Sequence, residues 1–222
     1  ANWIINDDPR MLEPDADNLI QRYVMALFYI STTETKPWLS CNPPVGEETA
    51  LCNFTKITKA FPEFIYEEVL WGRWLSSEHE CNWGGVFCDE FNQTRAFELP
   101  ALEIRGTFPS EIALLPYVQS LGFSTNQLHG TMPSELASMK HLLNIELHYN
   151  FLTGQVPYEW YASFQGLERI NIAGNFLTGT IPTEIGQMTA LRGFFSAENS
   201  ITGTIPTEIG NMKSLCKCHG ED

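Results

Sequence analysis

The sequence is poor in positive charge: 13 Lys and Arg stand against 27 Asp and Glu, a net charge of −14 over 222 residues. That shortage argues against nucleic-acid binding, because neutralising phosphates takes clustered Lys and Arg. Long apolar runs are also missing. The longest, Tyr23 to Ile30, falls far short of the roughly 18 to 20 residues a membrane-spanning helix needs, so no transmembrane segment is expected in this chain. There is no glycine-rich phosphate loop, no G-x-S-x-G elbow and no H-E-x-x-H pair, which leaves no enzyme motif, cofactor site or metal site to predict. The opening Ala1-Asn2-Trp3 carries neither a secretory signal nor an initiating Met, as expected of a processed chain or an excised ectodomain.

Apolar material is plentiful: 43% of residues are hydrophobic and 12% aromatic, enough for a sizeable core despite the acidity. The cysteines fall into three local pairs, Cys41/Cys52, Cys81/Cys88 and Cys216/Cys218. An even count in short loops points to disulfides and an oxidising compartment. Two N-glycosylation sequons, at Asn53 and Asn92, agree with an extracellular chain. Cys216-Lys217-Cys218-His219 offers only three soft ligands with no second pair nearby, so a C-terminal cap is the expectation there, not a metal centre.

Internal periodicity decides the fold. Gly106, Gly130, Gly154, Gly179 and Gly203 step by 24, 24, 25 and 24, and Pro109, Pro133, Pro157, Pro182 and Pro206 keep the same register. Asn126, Asn150, Asn175 and Asn199 join it, each followed two places later by Leu128, Leu152, Leu177 or Ile201. Ahead of each Asn stands an L-x-x-L-x-L frame, as in Leu142/Ile145/Leu147 and Leu167/Ile170/Ile172. This is the leucine-rich-repeat period. The L-x-L core alternates inward and outward side chains, which makes a short strand, and stacked strands bury one continuous core. The Asn side chain carries a donor and an acceptor, so a column of them satisfies backbone groups where each strand turns away. Gly gives the turn its backbone freedom and Pro fixes φ after an apolar plug.

The half-repeat Gly179-Thr180-Ile181-Pro182-Thr183-Glu184-Ile185-Gly186 resembles the plant-specific class of leucine-rich repeat, whose L-x-G-x-I-P signature implies an extra strand on the convex side and helical turns. The expected fold is therefore an α/β solenoid, a right-handed superhelix of five plant-type repeats of 24 residues over 94–215, with Leu102 replacing the first Asn and Ser196 weakening the last core. Residues 1–93 are expected to form an N-terminal cap and 216–222 a C-terminal or truncated cap, because a solenoid leaves its core open at both ends. Trp74-Leu75 with Cys81-Asn82-Trp83-Gly84-Gly85-Val86-Phe87-Cys88 resembles the cap of plant-type receptors, which implies a Cys81–Cys88 disulfide. Gln21-Arg22-Tyr23 and Phe28-Tyr29-Ile30-Ser31-Thr32 add a similarity to secreted or membrane-tethered leucine-rich-repeat proteins of diatoms and related algae. Before these, Asp17 is expected to cap a helix whose apolar face is Leu19, Tyr23, Leu27 and Ile30, widened by Ile20 and Val24.

Outward positions on the strands should line a concave face, where binding usually resides. Aromatic and charged residues gather in the last three cycles: Glu146, His148, Tyr149, Arg169, Asn171, Phe195 and Glu198. These form the candidate partner patch, with Tyr149 and Phe195 as aromatic anchors. Glu146 and His148 on an open face are expected to be a solvated pair, not an acid/base couple. The leading expectation is an extracellular recognition module without chemistry of its own, binding a protein, peptide or glycan. Its size is similar to the ectodomains of somatic-embryogenesis-type co-receptor kinases, which assist a larger membrane receptor. Two alternatives are a secreted inhibitor of a cell-wall hydrolase, as in polygalacturonase-inhibiting proteins, and a structural or adhesive surface protein.

Overall fold

A computed structural model describes residues 8–10, 18–33, 37–38, 42, 51–57 and 66–215, with the backbone alone for 51–57 and for 66–72. Asp17, Cys41, Cys216 and Cys218 lie outside the described residues, as do the side chains of Cys52 and Asn53. The elements are α1 (Leu19–Thr33), β1 (Leu51–Ile57), β2 (Tyr66–Gly72), β3 (Val86–Cys88), β4 (Thr94–Glu98), β5 (Arg105–Thr107), β6 (Ser120–Gly122), β7 (Gln127–Gly130), β8 (Asn144–Glu146), β9 (Phe151–Gln155), α2 (Tyr158–Ser163), β10 (Arg169–Asn171), β11 (Phe176–Thr178) and β12 (Gly193–Phe195).

The apolar alternation produces two stacks of short strands. One sheet runs β12-β10-β8-β6-β4-β3, parallel throughout except for the antiparallel β3–β4 edge. A second parallel sheet runs β11-β9-β7-β5, and a Thr180–Thr202 bridge carries it one cycle further. This is the extra strand implied by the plant-type signature. After each Pro the chain makes a tight helical turn, 3₁₀ at Ser110–Leu114, Ser134–Ser138, Thr183–Gln187 and Thr207–Asn211. The cycle that is one residue longer uses the α-helical α2 and buries Trp160. Between the layers lies the core: Leu121, Phe123, Leu128, Ile145, Leu152, Ile170, Ile172 and Leu177 are all essentially buried, each burial contributing about 1.5–3 kcal/mol. In the last cycle Phe194 and Ile201 are only partly buried.

The Asn column stitches the cycles together. Asn150 Oδ1 accepts from Leu128 N at 3.0 Å, while its Nδ2 donates to Phe123 O at 2.9 Å and Leu147 O at 3.1 Å. Asn175 and Asn199 repeat the pattern one and two cycles on. Where Leu102 replaces Asn, Asn126 Oδ1 reaches back to accept from both Leu102 N and Ile104 N. One non-helical corner residue per cycle, Ala101, Thr125, Tyr149, Gly174 or Glu198, takes a left-handed φ of 54 to 62° just ahead of the Asn position.

The cap packs by a different face of α1 than the spacing predicts. Ile20 and Ile30 are exposed and Leu19, Tyr23 and Leu27 half-buried, whereas Arg22, Val24, Met25, Ala26, Phe28, Tyr29 and Thr32 are buried. The helix is rotated because Phe28 enters a cluster of rings, 4.9 Å from Phe123, 5.7 Å from Phe108 and 5.9 Å from Trp38 between centroids. Arg22 turns inward with it. Its guanidinium binds Asp8 through two 2.7 Å contacts, donates to Ser76 O at 2.6 Å and Glu78 O at 3.0 Å, and lies 4.7 Å from the Trp83 ring centre. Glu80, also buried, accepts from Asn18 at 2.7 Å and Gln21 at 3.0 Å. Simple amphipathic counting treats Arg as a surface residue, and here a built-in set of acceptors reverses that assignment. The Cys81–Cys88 disulfide is present, closing the loop that leads into β3.

Candidate functional site

β8, β10 and β12 lie side by side, with Glu146, Asn171 and Phe195 in register. Arg169 sits two residues before Asn171 on the same face, so it reaches diagonally to both neighbours. Its Nε donates to Glu146 Oε1, and its guanidinium carbon stands 4.6 Å above the Phe195 ring. On the other side of Glu146, Oε2 lies 3.2 Å from His148 Nδ1, and the His148 ring meets Tyr149 edge to face at 5.5 Å. Phe195, Arg169, Glu146, His148 and Tyr149 thus form one continuous line across three cycles. Two members of the expected patch stand apart from it. Asn171 turns to its own strand, accepting from Ala173 N at 3.3 Å, and Glu198 is exposed at the next left-handed corner.

Three glycines make room for these side chains. A Cβ at Gly193 would meet the Phe195 ring at 2.6 Å, one at Gly174 would meet the Tyr149 ring at 2.4 Å, and one at Gly122 would meet the Glu98 carboxylate at 2.0 Å. The rings and the carboxylate therefore occupy the space that a Cβ at these glycines would fill. Burial pushes the Glu98 carboxyl above the usual range, opposed by a 2.7 Å hydrogen bond from Ser120 and reinforced by the charge of Glu146. Burial acts on Glu146 too, but His148 and Arg169 together outweigh it and hold its carboxyl below the usual range. Glu98 was outside the expected patch. Its signal was present in the sequence: a carboxylate opposite Gly122 in the column that continues through Glu146.

Ends of the line are exposed and apolar, Tyr149 at 54% and Phe195 at 43%, while its middle is an internally neutralised ion cluster. Such an arrangement can hold a partner side chain against either ring without a large cost for desolvating a lone charge. An open depression of about 380 Å³, bordered by Met139, Lys140, Phe164 and Gln165, lies among the helical turns and not on this face. Among the described residues no group of three His, Cys, Asp or Glu side chains could hold a metal, and no helix is long and apolar enough to cross a membrane. The Asn92 sequon is exposed in the turn between β3 and β4.

Stacked parallel strands, the Asn column and the second sheet define a leucine-rich-repeat solenoid. The Leucine Rich Repeat family model matches residues 166–188. A chain of the BIR3–SERK2 complex from Arabidopsis thaliana is 28% identical with a TM-score of 0.57, the match covering 60% of this chain and 72% of that one. The plant peptide hormone receptor RGFR1, solved with RGF2, is 28% identical with a TM-score of 0.50, covering 53% of this chain and 19% of the receptor. A plant ice-binding protein is 30% identical with a TM-score of 0.59, covering 63% of this chain and 46% of its own. No curated protein matches the chain. The chain is therefore similar in fold to plant leucine-rich-repeat proteins that include a peptide hormone receptor, and it spans only about a fifth of the RGFR1 receptor chain.

Proposed function

We propose that this protein is an extracellular recognition module that works without chemistry of its own and docks a protein or peptide partner on the concave face, in the manner of a receptor or co-receptor ectodomain. The observation that carries the reading is the line from Phe195 through Arg169, Glu146 and His148 to Tyr149, two exposed rings on either side of the Arg169–Glu146 ion pair. Rigid aromatic anchors are the side chains from which binding hot spots are built. Structural neighbours that include a two-protein complex and a peptide hormone receptor with its peptide support a protein or peptide as the ligand class. The Cys81–Cys88 disulfide supports an oxidising compartment outside the cell.

The test is selection of a displayed random-peptide library on the immobilised protein, followed by affinity measurement on a Tyr149→Ala/Phe195→Ala variant. Selected peptides are expected to lose at least tenfold in affinity, about 1.4 kcal/mol or more, with little dependence on salt because the patch neutralises its own charges. Equal affinity for the two proteins, with unchanged thermal melting, refutes the concave patch.

A further inference from the structure

Five outward positions fall in one row across the concave face: Glu98, Gly122, Glu146, Asn171 and Phe195, paired strand to strand from β4 to β12. One end of the row is a carboxylate and the other an exposed aromatic ring. Four strand-to-strand steps of about 4.8 Å set the two ends roughly 19 Å apart, the reach of about five or six residues of extended chain.

The two carboxylates of the row stand in different circumstances. Glu146 is answered by Arg169 at one oxygen and by His148 at the other. Glu98 is half-buried against Gly122 and receives a 2.7 Å hydrogen bond from Ser120, and among the described residues no Lys, Arg or His acts on it. Burial and the charge of Glu146 both disfavour its ionised form. Arg169 is already committed to Glu146 and Phe195. A half-buried carboxylate without a cation destabilises the free protein, and a cation arriving with a ligand relieves it.

Charge narrows the occupant. A chain of net charge −14 disfavours an acidic peptide, and Glu98 disfavours one again at the place of contact. Gly122 puts no side chain of its own between Glu98 and Glu146, which leaves that stretch of the row to a group the ligand brings. Because Glu98 is half-buried, an ion pair made there is screened by salt less than one between free surface charges. At the far end Phe195 offers an apolar contact and no charge of its own.

We infer that the concave face takes an extended peptide whose Lys or Arg side chain pairs with Glu98 while an aromatic or aliphatic side chain about five or six residues away packs on Phe195; this rests on the peptide-docking reading above and gives the peptide its chemistry. The experiment selects a displayed random-peptide library on the wild-type protein and measures the enriched peptides, made synthetically, on wild type, Glu98→Gln and Tyr149→Ala/Phe195→Ala, with a melting curve for each protein. Expected are a Lys or Arg at that spacing and a loss of about tenfold or more with Glu98→Gln, although that variant melts no lower than wild type near neutral pH. Replacing the peptide's basic residue by Gln should cost the same, and the two changes together little more than either alone, because they break one contact. Enriched peptides that need Tyr149 and Phe195 but carry no basic residue, or bind Glu98→Gln as well as wild type, overturn this inference and leave the docking reading standing. Peptides bound equally by the folded Tyr149→Ala/Phe195→Ala variant, or a library that yields no binder, overturn both.

Discussion

Replacing members of the Asn column by Ala should cost stability in an order set by how many buried backbone groups each substitution orphans. Asn150 makes one acceptor and three donor contacts, but Phe123 O also accepts from Asn126, Leu147 O from Asn175 and His148 O from Thr125 N–H. Asn150→Ala therefore leaves a single amide, Leu128 N–H, without its partner, at about 1–3 kcal/mol, and with the lost hydrogen bonds the total comes to about 2–4 kcal/mol. Asn126→Ala orphans two amides, Leu102 N–H and Ile104 N–H, and should cost about 3–5 kcal/mol. Asn199→Ala strips Leu177 N–H at a partly exposed site that water can reach, so about 1 kcal/mol or less is expected. Urea denaturation gives the ranking, and amide hydrogen exchange localises each loss, which is needed because repeat proteins can unfold in parts. Equal costs at Asn126, Asn150 and Asn199, or a cost below about 0.5 kcal/mol at Asn126, would show that orphaned amides do not control these effects.

Further outcomes follow from the same contacts. Arg22→Ala strands the buried carboxylate of Asp8 and removes one of two Arg partners of buried Glu80, and should destabilise the cap by about 3–5 kcal/mol, seen as early loss of Trp fluorescence in denaturant. Gly174→Ala should displace the Tyr149 ring and lower peptide affinity, with only about 1–2 kcal/mol of left-handed strain in the fold; unchanged affinity would refute the seating of that ring. The raised Glu98 carboxyl contributes stability that is complete at low pH and lost as pH rises through its folded-state value. Glu98→Gln should thus stabilise near neutral pH and do little in acid, while the depressed Glu146 gives the opposite: Glu146→Gln costs stability near neutral pH, and the difference disappears as pH falls through its folded-state value. Reduction of Cys81–Cys88, whose residues are 7 apart in sequence, should cost about 2–3 kcal/mol in thermal melts.

Repetition made the solenoid legible. A Gly, Pro and Asn in one register over successive cycles leaves little freedom in where strands, turns and core must fall, because each depends on contacts one period away. The concave columns were readable for the same reason, and five of the seven expected patch residues do meet. The cap has no period to average over, and there the amphipathic count misassigned α1: whether Arg22 faces water or core depends on Asp8, Ser76, Glu78 and Glu80, acceptors drawn from distant parts of the chain. Local pattern cannot weigh partners that only folding brings together.

The amino-acid order alone determined the period, the inward and outward alternation and the Asn column, all of which follow from residue type at fixed spacing. Tertiary structure decided what leans on what. Arg169 bridges Glu146 and Phe195, Tyr149 lies over Gly174, and Phe151 stacks on Phe176, because stacking neighbouring cycles sets side chains against one another at distances no linear spacing specifies.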